Sequence, residues 1–263
     1  MSSISNSATL PLPEPTGRFR DRRTEALADL ILRSTAQPIR RLLVVGCGSG
    51  KEAAVLAQVL DVETTGIDIV ENFDPEAATA VQLRYGDATR LDFPDSSFDC
   101  VYSYHALEHI PEHVQALREM RRVLREDGLL CIGTPNRSRL FAYLGSRTSF
   151  REKLRWNMID WKARLRGRFR NEFGAHAGFS AAELKQELQG VFGNAEEITL
   201  PYYLRVYRNH VGLCRLLYLS GIGRVLFPCV YFLGRREAAL SAAPAGKADA
   251  TQTPGPAQFA SAG

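Results

Sequence analysis

Apolar positions recur at helical spacing near the start of the chain. Ala26, Leu27, Leu30 and Ile31 fall on one face and predict a helix within residues 18–36, which Pro38 ends. The continuous apolar run 42–45 is too short for a helix and is closed by glycines, so it reads as a strand buried on both faces. Residues 51–60 predict a helix, and strand-like runs recur at 62–69, from 83 to 85 and at 98–104. A helix is expected over 111–126, with Pro111 in its first turn, Leu117, Met120 and Leu124 on one face, and Gly128 as the stop. Residues 129–133 read as another buried strand. Residues 180–192 read as a helix opened by a Ser180–Glu183 capping box, and 196–203 and 227–233 as two terminal strands. Strands alternating with helices imply an α/β fold: a doubly wound, mostly parallel sheet of seven strands with helices on both faces.

Composition sharpens the boundaries. The chain has 263 residues, 45% hydrophobic and 24% charged, enough for one large domain with a sizeable core. Residues 1–17 are rich in Ser and Pro, lack a basic start and a long apolar run, and are expected to be a disordered leader and not a secretory signal. Residues 238–263, rich in Ala, Pro and Gly, are expected to be a disordered tail, leaving 18–237 as the folded domain. Five widely spaced cysteines without a CxxC pair argue against a disulfide framework or a cysteine zinc site and favour a cytoplasmic location. The net charge of +4 is too mild to imply nucleic acid by itself.

Between the run 42–45 and the next helix stand Gly46, Gly48 and Gly50, around Cys47. A dinucleotide-binding turn requires its third glycine at the position of Lys51. A P-loop ending at Gly50 and Lys51 requires glycine where Val45 stands and Ser or Thr where Glu52 stands. Neither pattern fits. The turn still lets the backbone approach an anionic or polar ligand, with free N–H groups at the helix start. About twenty residues on, Asp68 ends a strand, where a carboxylate can accept hydrogen bonds from vicinal ribose hydroxyls.

Beyond these local features, the segments YGDATRLD (85–92), FDCVYSYHALEHIP (98–111) and LREMRRVLREDGLLCIGTPN (117–136) follow in unbroken order. Over 42–136 the chain resembles class I S-adenosylmethionine-dependent methyltransferases, including those of ubiquinone type. The resemblance implies a Rossmann-like sheet, a helical lid inserted after the fifth strand at about 137–175, and S-adenosyl-L-methionine as cofactor. It assigns cofactor contacts to Gly46, Cys47, Gly48, Gly50, Asp68, Ile69, Asp87, Ala88, Tyr104 and His105, with Asp87 and the next amide on the adenine edge. The span between Asp68 and the third strand is short, so only a short helix is expected there.

Methyl transfer depends chiefly on orientation, and a base matters most when the acceptor is a hydroxyl. The candidate catalytic residues are His105, His109 and His176, the first two one helical turn apart if a helix begins there. Ubiquinone-type relatives carry E-x-x-E-H, which can hold Mg²⁺. Here His105 replaces the first Glu ahead of Glu108 and His109, weakening a hard-cation site, and no metal is expected.

The lid interleaves arginines and lysines with Phe150, Trp156, Trp161 and Phe169, suiting an anionic acceptor or membrane surface. Residues 211–233 are long enough to span a bilayer, but Arg215, Arg224 and Pro228 interrupt them, so they read as a connecting helix and a strand. The expected partner is a small-molecule or lipid-linked acceptor, methylated on O or N, with peripheral membrane contact through the lid and 211–233. Nucleic acid is not the expected partner. The alternatives are an NAD-dependent oxidoreductase and a non-catalytic cofactor-binding homologue.

Overall fold

The computed structural model describes residues 18–35, 37–142, 148–171 and 177–237. The expected leader and tail lie outside the described residues. Seven strands form one sheet in the order β3-β2-β1-β4-β5-β7-β6. They are β1 (Arg41–Val45), β2 (Glu63–Asp68), β3 (Gln82–Tyr85), β4 (Phe98–Tyr104), β5 (Leu124–Pro135), β6 (Glu196–Glu197) and β7 (Cys229–Arg235). β1 to β5 pair in parallel, while β7 runs antiparallel to both β5 and β6. The expected mostly parallel, seven-stranded α/β sheet is therefore present.

Strand alternation explains the unbroken apolar runs. Leu42 and Val44 face one side of the sheet, in a core with Leu27, Ile31, Leu56 and Tyr102. Leu43 and Val45 face the other, with Val101, Leu117, Met120 and Leu188. The first face is covered by α1 (Arg22–Ser34), α2 (Lys51–Leu60) and α6 (Thr199–Val206). The second is covered by α3 (His113–Val123) and α5 (Ala181–Phe192). Each fully buried Leu or Met contributes about 1.5–3 kcal/mol. Asp21 caps α1 through the Thr24 amide, and Ser180 and Glu183 form the expected capping box on α5.

Three expectations are corrected. The helix expected to run to residue 126 ends at Val123, because Leu124 pairs with Phe98 and opens β5. Gly128 lies within that strand at its register shift, where a Cβ would meet the Arg125 and Asp99 carbonyls, so it is not a helix stop. The strand expected over 196–203 is only Glu196–Glu197. Thr199, Tyr202, Tyr203 and Val206 are buried at helical spacing, and Pro201, which lacks an N–H, is tolerated in the first turn of α6. The connection between β2 and β3 is reduced, as expected, to one 3₁₀ turn at Ala77–Thr79.

The insertion after β5 is helical: α4 (Phe150–Leu165) starts with a Ser149–Glu152 capping box. Before β7, residues 211–226 form α7 (Val211–Leu219) and the short α8 (Gly223–Leu226). No helix among the described residues is long and apolar enough to cross a membrane.

Candidate functional site

The sheet order reverses between β1 and β4, and the carboxyl ends of those strands flank a crevice where α/β sheets bind ligands. Gly46 leaves β1 at φ +73°, and its amide and that of Cys47 both donate to the Ile67 carbonyl, at 2.9 and 3.0 Å. A Cβ at Gly46 would lie 2.2 Å from the Ala106 Cβ, so the glycine is required both by conformation and by the loop after β4. Gly48, at φ +52°, differs: a Cβ there would meet nothing within 4 Å, leaving its backbone open to a ligand. Its amide donates to Asp68 Oδ2 at 2.8 Å, and Asp68 Oδ1 accepts the Val70 amide at 2.9 Å. A carboxylate offers about four lone-pair sites, so Asp68 keeps acceptor capacity for two further donors.

The next loop is tied to the same point, because the Gly86 amide donates to the Asp68 carbonyl at 3.0 Å. Asp87 Oδ1 accepts the amide and hydroxyl of Thr89, both at 2.8 Å, and these bonds hold its carboxyl below the usual range. Ala88 is buried beside it, whereas Ile69 points its side chain outward, 66% exposed.

A cavity of about 660 Å³ opens beside the glycine turn, lined by Phe19, Arg23, Cys47, Glu52, Tyr104 and His105 among others. Arg23 and Glu52 escape sequence reasoning as site residues. Charges on α1 and α2 look like solvated helix faces until the fold turns them toward each other's strand end. Burial pushes the Glu52 carboxyl up to about 7, although it accepts hydrogen bonds from the Tyr102 hydroxyl (2.5 Å) and the Thr24 hydroxyl (3.2 Å). Burial works against the Arg23 charge, but Tyr104, Tyr202, Tyr207 and Asp21 together outweigh it. Beside the exposed Arg18, Arg20 and Lys51, the cavity thus carries the cationic Arg23 and, in Glu52, a carboxyl that titrates near neutrality. Burial pushes the Cys47 thiol up to about 12, so this residue contributes shape and not a thiolate.

His105 follows β4 at φ +54°, a left-handed conformation that histidine adopts more readily than most residues. Its ring stacks edge-on against Tyr104, with Nε2 3.4 Å from Cys229 Sγ and Nδ1 3.5 Å from Glu108 Oε1. Residues Leu107–His109 form one 3₁₀ turn, so His105 and His109 do not share a helix face as expected. They flank Glu108 instead, with His109 Nε2 4.0 Å from the same oxygen. The Glu108 side chain is 0% exposed, and neither of its oxygens has a hydrogen-bond partner among the described residues. Burial pushes this carboxyl up to about 7, against the pull of the buried Arg139 guanidinium. His176 lies outside the described residues. Among the described residues, no group of three or more His, Cys, Asp or Glu side chains is arranged to hold a metal ion.

Residues 43–132 match a family model described as a methyltransferase domain. The chain is 37% identical over 139 residues to 27-O-demethylrifamycin SV methyltransferase of Amycolatopsis mediterranei (strain S699), covering 48% of this chain and 47% of that protein. It is 38% identical over 104 residues to demethylmenaquinone methyltransferase of Listeria monocytogenes serotype 4a (strain HCC23), covering 35% of this chain and 44% of that protein. The chain thus spans under half the length of these relatives. The structure of Haemonchus contortus phosphoethanolamine N-methyltransferase 2 in complex with S-adenosyl-L-methionine aligns with a TM-score of 0.51 at 17% identity. That alignment covers 81% of this chain and 52% of that one, a likeness of fold alone.

Proposed function

We propose that this protein, whose residues 43–132 match a methyltransferase domain, is a class I S-adenosylmethionine-dependent enzyme that transfers a methyl group from S-adenosyl-L-methionine to oxygen or nitrogen of a small-molecule or lipid-linked acceptor. The observation that carries the reading is the Gly48–Asp68 bond at the mouth of the Arg23- and Glu52-lined cavity. Both relatives named above carry methyltransferase names, and each has a small organic acceptor in that name.

The residues divide the cofactor by its chemistry. Asp68 suits the ribose diol, and Asp87 with the Ala88 amide suits the adenine edge. Arg23 suits the carboxylate of the amino-acid end, and Glu52 suits its ammonium group. Gly48 fits this division, since any side chain there would project into the ligand's space. When bound, the cofactor supplies an electrophilic methyl group on a sulfonium.

The chain's own work is to orient the acceptor and take its proton. His105 lines the cavity and is the residue best suited to accept a hydroxyl proton. Glu108, buried behind it, favours the imidazolium that results once its own carboxyl is ionised, above about pH 7. Orientation by such a pocket can supply about 7–11 kcal/mol of the barrier.

Titration of S-adenosyl-L-methionine against NAD⁺ tests the premise: binding of the first alone is expected, and binding of NAD⁺ instead would replace methyl transfer by oxidoreduction. Incubation with methyl-labelled cofactor and fractionated extract then reads the acceptor, with label expected in small-molecule or lipid fractions. Cofactor binding without any turnover to S-adenosylhomocysteine across all fractions would leave only a binding homologue.

A further inference from the structure

The lid helix α4 turns apolar side chains outward. Phe150, Leu154, Met158 and Leu165 are between 43% and 88% exposed. At 3.6 residues per turn they fall within an arc of roughly 80°. Arg151, Arg155, Lys162 and Arg166, all exposed, occupy the adjoining arc of about 60°. The two acids of this helix lie elsewhere and are engaged, Glu152 in the capping box and Asp160 with Arg139. A stripe of this kind on a helix interior would normally face a core. The positions bordering the apolar arc on its other edge already hold the helix down: Asn157, about 20° from Phe150, bonds the backbone of Ala142, and Arg164, about 40° from it, donates to the carbonyls of Arg137 and Arg139.

A second patch is joined to the first through that same stretch. The Leu140 amide donates to the Val225 carbonyl and Asn136 Nδ2 to the Arg224 carbonyl, both at 2.7 Å, tying the lid to α8. On α7 and its turn into α8, Leu213, Leu216, Leu219 and Ile222 are between 50% and 78% exposed at spacings of three. Arg208, Arg215 and Arg224 stand exposed around them, and no acidic residue occurs between Ile198 and Arg236.

We infer that α4 and the α7–α8 hairpin dock this protein on an anionic membrane surface. The exposed Phe, Leu, Met and Ile side chains enter the boundary between headgroups and acyl chains, and the flanking Arg and Lys meet lipid phosphates. Charge decides the occupant. A second copy related by two-fold symmetry would bring the same arginine-rimmed surface against itself, which like charge opposes. Nucleic acid would use aromatic platforms for stacking, whereas the outermost residues here are mostly aliphatic. The inference goes beyond methyl transfer and does not require it, although it brings a lipid-linked acceptor to the site.

The test is co-sedimentation of the full chain with phosphatidylcholine vesicles, with and without phosphatidylglycerol. Binding is expected only to the anionic vesicles and is expected to weaken as salt rises. The pair Leu154→Glu and Met158→Glu, and separately Leu216→Glu and Leu219→Glu, should each lower vesicle affinity about tenfold or more. Because all four positions are exposed, melting temperatures should stay close to that of the unaltered protein. Asp68→Ala should lose the cofactor yet still sediment, which separates failure of docking from failure of the methyltransferase reading. Three results would overturn the inference: no sedimentation with anionic vesicles at low salt, indifference to both pairs of substitutions, or self-association or RNA retention that the same substitutions abolish without vesicle binding.

Discussion

Gly48 and Asp68, twenty residues apart, are joined by a 2.8 Å hydrogen bond from the amide of the first to Oδ2 of the second. The bond holds a carboxylate at the tip of β2 against the one point of the glycine turn that faces open space. The turn and the acid therefore act as a unit, each fixing where the other meets a ligand.

Asp68→Ala should consequently damage binding twice, by removing a charged acceptor and by releasing the turn. Charge-assisted hydrogen bonds contribute about 1.5–3 kcal/mol each, so S-adenosyl-L-methionine affinity should fall at least about tenfold. Calorimetric titration reads this directly. Unchanged affinity would remove Asp68 from the cofactor site.

Gly46→Ala should act on the fold first. The added Cβ would lie 2.2 Å from that of Ala106, at a φ of +73° that L residues rarely adopt. A loss of about 2–4 kcal/mol is expected from strain and overpacking together. Gly48→Ala offers the contrast: it has room for the Cβ, so it should cost less stability and more cofactor affinity. Equal unfolding midpoints in urea for the two variants would contradict this division.

The β1–turn–β2 unit was legible in the sequence because its determinants are local: an apolar run, three glycines and an acid one strand later. Arg23 and Glu52 were not, because nothing within α1 or α2 marks one charge as inward. Only the fold does that, by bonding Glu52 to the Tyr102 hydroxyl and setting Arg23 in the lining of the same cavity. The 196–203 segment misled for a related reason. Its Ile, Thr and Tyr content favours a strand, and tertiary burial of Thr199, Tyr202, Tyr203 and Val206 overrides that preference. The outward apolar stripe of α4 has the same origin: spacing defines a face, and only the fold says whether anything covers it.

His105→Ala should separate chemistry from binding. If the acceptor is a hydroxyl, loss of its proton acceptor should lower kcat about 10²–10⁴-fold. Cofactor affinity, resting on Asp68 and Asp87, should change little. An unaltered kcat with the identified acceptor would leave His105 with a packing role beside Tyr104 and Cys229.

Glu108 makes stability depend on pH with a definite sign. Its carboxyl is fully buried and pushed from an ordinary 4.5 up to about 7. Below 4.5 both folded and unfolded chains hold the proton, and the group imposes no penalty. Between 4.5 and about 7 the unfolded chain releases a proton that the fold retains, so stability falls as pH rises. Above about 7 the full penalty is present, about 3 kcal/mol for this group. Glu108→Gln keeps the shape and removes the charge, so it should stabilise the protein at alkaline pH and do little at pH 4.5. Glu52, also pushed up to about 7, should contribute a decline of the same sign that survives the Glu108 substitution. Urea unfolding across this range reads both effects. A difference between the Gln variant and the unaltered protein that stays constant with pH would mean that Glu108 is not buried as a neutral acid.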